Sequence, residues 1–125
     1  MLVVTEVNGC RYCSYYHASS ALAVGVTQQE LVELLKGAIP AGTPPEELPA
    51  LVYAQHWAET GTSPDSKAVR RLMVTYGQQK VNAIHIILRM IRLGNLLGNT
   101  GDYILYRLTF GMLGLRRDET RYATV

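Results

Sequence analysis

An all-α fold is predicted for this chain by three observations. The 125-residue sequence lacks sustained alternation of apolar and polar residues, which would mark half-buried strands. Its long apolar segments instead follow the period of a helix. Helix start and stop signals separate these segments, and no linker or low-complexity tract divides them. We therefore expect one helical domain over residues 1–125.

The helices of the first half follow from local start and stop signals. Asn8-Gly9 breaks or kinks the first helix, and Gly25 stops the second. Thr27-Gln28-Gln29-Glu30 is a capping box. Pro44-Pro45-Glu46-Glu47 places proline and acidic residues in a first turn. The expected ranges are 2–7, 10–24, 27–36 and 44–59.

The second half is expected to hold three more helices. Asp65 or Ser66 caps the first, and Gly77 separates it from a very apolar helix over 78–97. Gly98-Asn99-Thr100-Gly101 is expected to be a loop, after which Asp102 caps a last helix to Met112. The tail beyond Leu115 is polar and is expected to be mobile.

Composition and charge narrow the class of protein. Apolar residues make up 48% and charged residues 18% of the chain, which is typical of a globular protein and not of a disordered one. Residues 1–69 hold three basic and seven acidic side chains, and residues 70–125 hold nine and three. The arginines are scattered through apolar sequence, so we expect no nucleic-acid partner; anionic substrate groups or acidic subunit surfaces explain them as well.

No targeting or membrane segment is expected. The first eight residues lack the basic and apolar regions of a signal peptide. The most apolar stretch, 84–97, is too short to cross a bilayer and contains Arg89 and Arg92. We therefore expect a soluble, cytoplasmic protein. In that compartment, two cysteines three residues apart indicate a redox pair or a metal site.

The cysteines lie at the expected start of the second helix. Cys13 and His17 are four residues apart and so share a helix face, with Cys10 one turn earlier. If the helix continued through Gly9, Glu6 would join them. A helix N-terminus favours a thiolate, Arg11 adds positive charge, and His17 can take the proton of Cys13. The pair can then close a disulfide that an external dithiol reduces.

Other interpretations of these residues remain open. The cysteines could be inert, and His17 could be an ordinary core histidine. A zinc site would use thiolate and imidazole ligands, but no fourth ligand is evident. We therefore expect neither a metal nor a cofactor.

The segment Asn8-Gly9-Cys10-x-Tyr12-Cys13-x-x-x-His17, followed by Ala18 and Ala21, resembles the AhpD-like alkylhydroperoxidase branch of the carboxymuconolactone decarboxylase family. The resemblance implies an AhpD-like helical bundle that assembles into trimers or hexamers. It also implies hydroperoxide reduction by Cys13, activated by His17, with Cys10 as its disulfide partner. The reductant would be a dithiol carrier, such as a lipoylated or thioredoxin-like protein. Members that decarboxylate the lactone generally lack the cysteine pair, so decarboxylation is not expected.

One departure from the family concerns the relay carboxylate. The family places it about a dozen residues before the first cysteine, which here would precede Met1. Met1-Leu2-Val3-Val4 also starts without a capping residue, so we expect residues upstream. The alternatives are that Glu6 substitutes or that a neighbouring subunit supplies the acid. The incomplete relay motivates a second hypothesis, a non-catalytic oligomeric protein that binds a ligand or partner.

Further candidates lie on the second and later helices. The tyrosines flanking the cysteines, among them Tyr12 and Tyr16, either pack or contribute a hydroxyl to the site. A polar stripe on the apolar helix either faces solvent or lines the redox site, with His85 or Arg89 touching substrate. Its members are Asn82, His85, Arg89 and Arg92. His56 and Trp57 are expected to pack, and Tyr103, Tyr106 and Arg107 to make subunit contacts.

Overall fold

The computed structural model describes residues 1–114, which form five helices and no strand. The all-α prediction is therefore confirmed for this part of the chain. In chain order the helices are α1 (Leu2–Asn8), α2 (Arg11–Ala23), α3 (Gln28–Leu35), α4 (Leu48–Glu59) and α5 (Ser66–Leu108). The predicted mobile tail beyond Leu115 lies outside the described residues. Among the helices of residues 1–114, none has the length and hydropathy of a membrane span.

Capping side chains start two helices where the sequence predicts them. Thr27 accepts a hydrogen bond from the Glu30 backbone N–H at 3.2 Å, and the Glu30 carboxylate accepts one from the Thr27 backbone N–H at 2.8 Å. This reciprocal pair is the predicted capping box of α3. The Asp65 carboxylate accepts a hydrogen bond from the Ala68 backbone N–H at 2.8 Å and so caps α5.

The predicted start of α4 is wrong by one turn. Residues 44–47 form a turn in which the Pro44 carbonyl accepts hydrogen bonds from the Glu47 and Leu48 N–H groups. The helix itself begins at Leu48, with Pro49 in its first turn. A proline there costs no hydrogen bond, because the first N–H groups of a helix have no partner within it. The proline in the first turn of α4 is thus Pro49, and not Pro44 or Pro45.

The predicted loop over 98–101 and the predicted cap at Asp102 are also wrong. α5 runs to Leu108, and its one non-helical residue is Gly77, which confirms the predicted separation there. Glycine within a helix costs about 1 kcal/mol relative to alanine. Here α5 packs against α2, and Asp102 is buried in an ion pair with Arg11. These tertiary contacts outweigh the local preference of glycine for a loop.

α1 lies at the centre of the packing, where it contacts all four other helices. Its first turn is buried, and the Thr5 hydroxyl donates a hydrogen bond to the side-chain oxygen of Asn95 on α5 at 3.2 Å. The main core joins α1, α4 and α5, and it includes the predicted packing residue Trp57. Its buried members are Val4, Tyr53, Ala54, Trp57, Ala58, Ala68, Leu72, Val81, Leu88 and Ile91. α1 therefore holds the chain that leads into the cysteine segment.

Candidate functional site

The turn between α1 and α2 sets the direction in which the cysteines enter the structure. Gly9 caps α1 with a left-handed backbone, φ 67°, which glycine adopts without steric cost. The helix is therefore not continuous from Glu6 to Cys10. Cys10 is the N-cap of α2, and the Cys13 backbone N–H lies 3.4 Å from the Cys10 Sγ that accepts from it. The cysteine sulfur occupies the place that a serine or aspartate oxygen takes in an ordinary cap.

Cys10 and Cys13 form a disulfide, with their Cα atoms 5.3 Å apart. The two sulfurs differ in access to solvent. Cys10 is 1% exposed, whereas Cys13 lies at intermediate exposure. An incoming molecule therefore meets the sulfur of Cys13 first.

α5 packs against the disulfide. Cys13 Sγ lies 3.8 Å from the carbonyl oxygen of Gly94, which can accept a hydrogen bond from a thiol. Gly94, Gly98 and Gly101 share one face of α5, because their spacings of four and three residues follow the helix period. That spacing is the sequence signal from which this close approach could have been predicted.

An ion pair joins the start of α2 to α5. The Arg11 guanidinium donates to the Asp102 carboxylate at 2.8 Å, and the Tyr12 hydroxyl donates to the same oxygen at 3.2 Å. The Asp102 side chain is 2% exposed and that of Arg11 is 36% exposed. Arg11 also lies over the Tyr12 ring, 4.7 Å from its centroid. The sequence predicted Asp102 as a helix cap and gave no sign of its pairing with Arg11, because the two residues are 91 positions apart along the chain.

Glu6 reaches α2 by a hydrogen bond instead of by helix continuity. The Ser14 hydroxyl donates to the Glu6 carboxylate at 2.6 Å. Burial raises the pKa of Glu6, and the hydrogen bond from Ser14 offsets part of that rise. The Glu6 carboxyl therefore has a higher pKa than an exposed glutamate. It contacts the cysteine helix α2 through the side chain of Ser14.

His17 lies one turn after Cys13 on α2 and is half-buried. Burial lowers its pKa. A lowered pKa favours the neutral imidazole, which can accept a proton. Its ring packs edge-on against Tyr16 with centroids 5.4 Å apart. No hydrogen bond within residues 1–114 joins His17 to either sulfur or to Glu6 in this disulfide form.

The remaining predicted residues lie at different distances from the disulfide. Tyr16 is 67% exposed beside His17. His85 forms a 2.7 Å hydrogen bond with the Tyr53 hydroxyl of α4, and burial lowers its pKa, with a further contribution from Arg89. Nine residues of helix separate His85 from Gly94, which is about 14 Å along the axis. Arg89 is exposed on the same helix.

Possible metal ligands do not cluster in the described part of the chain. Residues 1–114 contain no group of three or more histidine, cysteine, aspartate or glutamate side chains that could hold a metal ion.

The chain was compared with known protein families, curated proteins and solved structures. Residues 1–59 match the family model described as the carboxymuconolactone decarboxylase family. The match spans α1 to α4 and includes both cysteines and His17, but it does not include α5. No similar protein was found among curated proteins or among solved structures. The resemblance to the carboxymuconolactone decarboxylase family is thus confirmed over residues 1–59.

Proposed function

We propose that Cys10 and Cys13 are the redox-active pair of a hydroperoxide-reducing enzyme, since residues 1–59, which contain both cysteines, match the model of the carboxymuconolactone decarboxylase family. One observation carries the proposal. The two cysteines are bonded at the start of α2, with one sulfur buried and the other half-exposed. A pair built in this way can cycle between dithiol and disulfide, while only one of its sulfurs meets other molecules.

The oxidative half of the cycle starts at Cys13. His17 takes the thiol proton, and the Cys13 thiolate attacks one peroxide oxygen. The O–O bond breaks, the alcohol leaves with a proton, and Cys13 becomes a sulfenic acid. The Cys10 sulfur then attacks Cys13 Sγ, so that water leaves and the disulfide forms. Two electrons pass from the two thiols to the peroxide.

The reductive half needs an external dithiol, which we place in the class of lipoylated or thioredoxin-like proteins. Its thiolate attacks Cys13 Sγ, because Cys10 is buried. Cys10 leaves as a thiolate at the N-terminus of α2, where the Cys13 backbone N–H already points at its sulfur. A thiolate stabilised in this way is a good leaving group. The second thiol of the carrier then releases Cys13.

Neighbouring side chains supply proton transfer and substrate contact in this proposal. The lowered pKa of His17 favours the neutral imidazole that a base requires. Glu6 is the candidate relay carboxylate, since burial raises its pKa above the ordinary value and its carboxylate accepts a hydrogen bond from Ser14 on the cysteine helix. Tyr12 and Tyr16 flank the cysteines and are exposed, so they are the side chains that an incoming hydroperoxide would contact.

The test is hydroperoxide consumption in the presence of a dithiol reductant. We expect Cys13→Ser to abolish it and His17→Ala to lower kcat/KM about 100-fold, as loss of a general base does. His56→Ala is the matched control, because His56 lies on α4 and pairs with Asp65. Its activity should equal that of the wild type. Unchanged activity in both Cys13→Ser and His17→Ala would refute the proposal.

The second candidate is a non-catalytic protein that binds a ligand or partner. The missing hydrogen bond between His17 and either sulfur favours it, because an activated thiol needs that imidazole within reach. The two candidates differ in thiol chemistry. After reduction, a binding protein would keep two thiols that react slowly with hydroperoxide. The enzyme would instead re-form its disulfide when one equivalent of hydroperoxide is added.

We further propose that the protein is a cytoplasmic homo-oligomer, a trimer or hexamer as the family resemblance implies. Large apolar side chains lie exposed along one stripe of α5, with spacings that follow the helix period. They are Ile86, Met90, Leu93, Leu97, Ile104 and Leu108. Light scattering should report an oligomer for the wild type and a smaller species for Leu93→Glu. A monomeric wild type would refute this part of the proposal.

A further inference from the structure

Gly98 of α5 lies directly against the disulfide. A Cβ atom at this position would lie 2.6 Å from Cys10 Sγ and 3.2 Å from Cys13 Sγ. The first distance is shorter than any ordinary contact of a carbon with a sulfur. The other glycines on this face differ, because a Cβ at Gly94 or Gly101 would meet nothing within 4 Å. Only at Gly98 does the lack of a side chain make room for the sulfurs.

We infer that Gly98 is a positioning residue that favours the disulfide over the dithiol. The inference rests on the proposed function only in taking the pair to be redox-active. Gly98 lies outside the family match over residues 1–59, so it is assigned from this contact alone.

The reason is a difference in freedom between the two redox states. In the disulfide, the S–S bond holds both sulfurs where they meet the backbone of α5. In the dithiol, each sulfur can rotate about its own Cα–Cβ bond to another staggered position. An added methyl group at position 98 therefore crowds the disulfide more than the dithiol. Reduction takes up two electrons and two protons, supplied by an external dithiol that becomes a disulfide.

The test compares Gly98→Ala with the wild type and with Gly101→Ala. Gly101→Ala is the matched control, since it makes the same substitution on the same helix face in open space. Each protein is equilibrated with mixtures of reduced and oxidised dithiothreitol, and its disulfide fraction is measured by thiol alkylation and mass spectrometry. We expect Gly98→Ala to lower the equilibrium constant for disulfide formation at least tenfold, a shift of about 30 mV. Gly101→Ala should match the wild type.

A purely structural role for Gly98 predicts a different result. It would destabilise both redox states alike and leave the equilibrium constant unchanged, and that outcome overturns the inference. If oxidised Gly98→Ala does not fold, refolding of the same variant in excess reduced dithiothreitol decides, because the dithiol is the less crowded state. Folding of the reduced variant supports the inference, and failure to fold in both redox states overturns it. A wild type that consumes no hydroperoxide, together with a lowered equilibrium constant for disulfide formation in Gly98→Ala, would refute the proposed function alone.

Discussion

Breaking the ion pair between Arg11 and Asp102 should have unequal effects from its two sides. Arg11→Met removes the cation and leaves a carboxylate that is 2% exposed, with the Tyr12 hydroxyl as its hydrogen-bond donor. Asp102→Asn removes the negative charge and leaves a guanidinium that is 36% exposed. The buried anion cannot be hydrated, whereas the half-exposed cation can. Arg11→Met should therefore be the more damaging change.

The expected magnitudes follow from that difference in exposure. Removing one partner of a buried pair costs about 3–5 kcal/mol. We expect about 3 kcal/mol for Arg11→Met, because Tyr12 still donates one hydrogen bond to the carboxylate. For Asp102→Asn we expect about 1 kcal/mol, since water replaces the lost partner of Arg11. The double variant should cost less than the sum of the two, because neither charge is then left alone.

The assay is urea unfolding of the oxidised protein at pH 7, analysed for the free energy of unfolding of each variant. Arg70→Met is the control, because Arg70 is exposed on α5, and it should change stability by less than about 0.5 kcal/mol. Equal losses for Arg11→Met and Asp102→Asn would refute the reasoning. So would a loss for Arg11→Met no larger than that of the control.

Two more predictions concern the core and Glu6. Leu72 is 2% exposed, so Leu72→Ala should lower the free energy of unfolding, measured in urea, by about 3 kcal/mol. The control is Val74→Ala, which should change it by less than about 0.5 kcal/mol because Val74 is 83% exposed. Because burial raises the pKa of Glu6, its ionisation disfavours the folded state as pH rises through that pKa. Glu6→Gln should therefore be more stable than the wild type at pH 7, with a difference that shrinks as pH falls to about 4; a constant difference would contradict this sign.

Local signals in the sequence were sufficient to predict the turn between α1 and α2 and the helix start that holds the cysteines. The Asn8-Gly9 break, the cysteine spacing and the position of His17 depend on interactions within one or two helix turns. The structure accordingly has α1 ending at Asn8 and α2 beginning at Arg11, each within one residue of the expected boundary. The capping box at Thr27 was predictable for the same reason.

The missed features all depend on contacts between distant parts of the chain. The four residues 98–101 favour a loop by themselves, and they are helical because α5 packs closely against α2. Asp102 has the composition of an N-cap but pairs with Arg11 at the other end of the sequence. Glu6 was expected to reach the cysteines through a continuous helix, and it reaches α2 through Ser14 instead. Propensity and periodicity describe one element at a time and contain no information on such pairings.

The most direct test of the account is the reactivity of Cys13 in the reduced protein. The rate of its alkylation is measured from pH 5 to pH 10, with the modified residue identified by mass spectrometry, in the wild type and in His17→Ala. If the helix start and His17 activate the sulfur, Cys13 is half-ionised well below about pH 8.5, the value for a free thiol, and His17→Ala raises this midpoint. A midpoint at or above 8.5 in both proteins would contradict the claim that this helix start and its imidazole activate the sulfur.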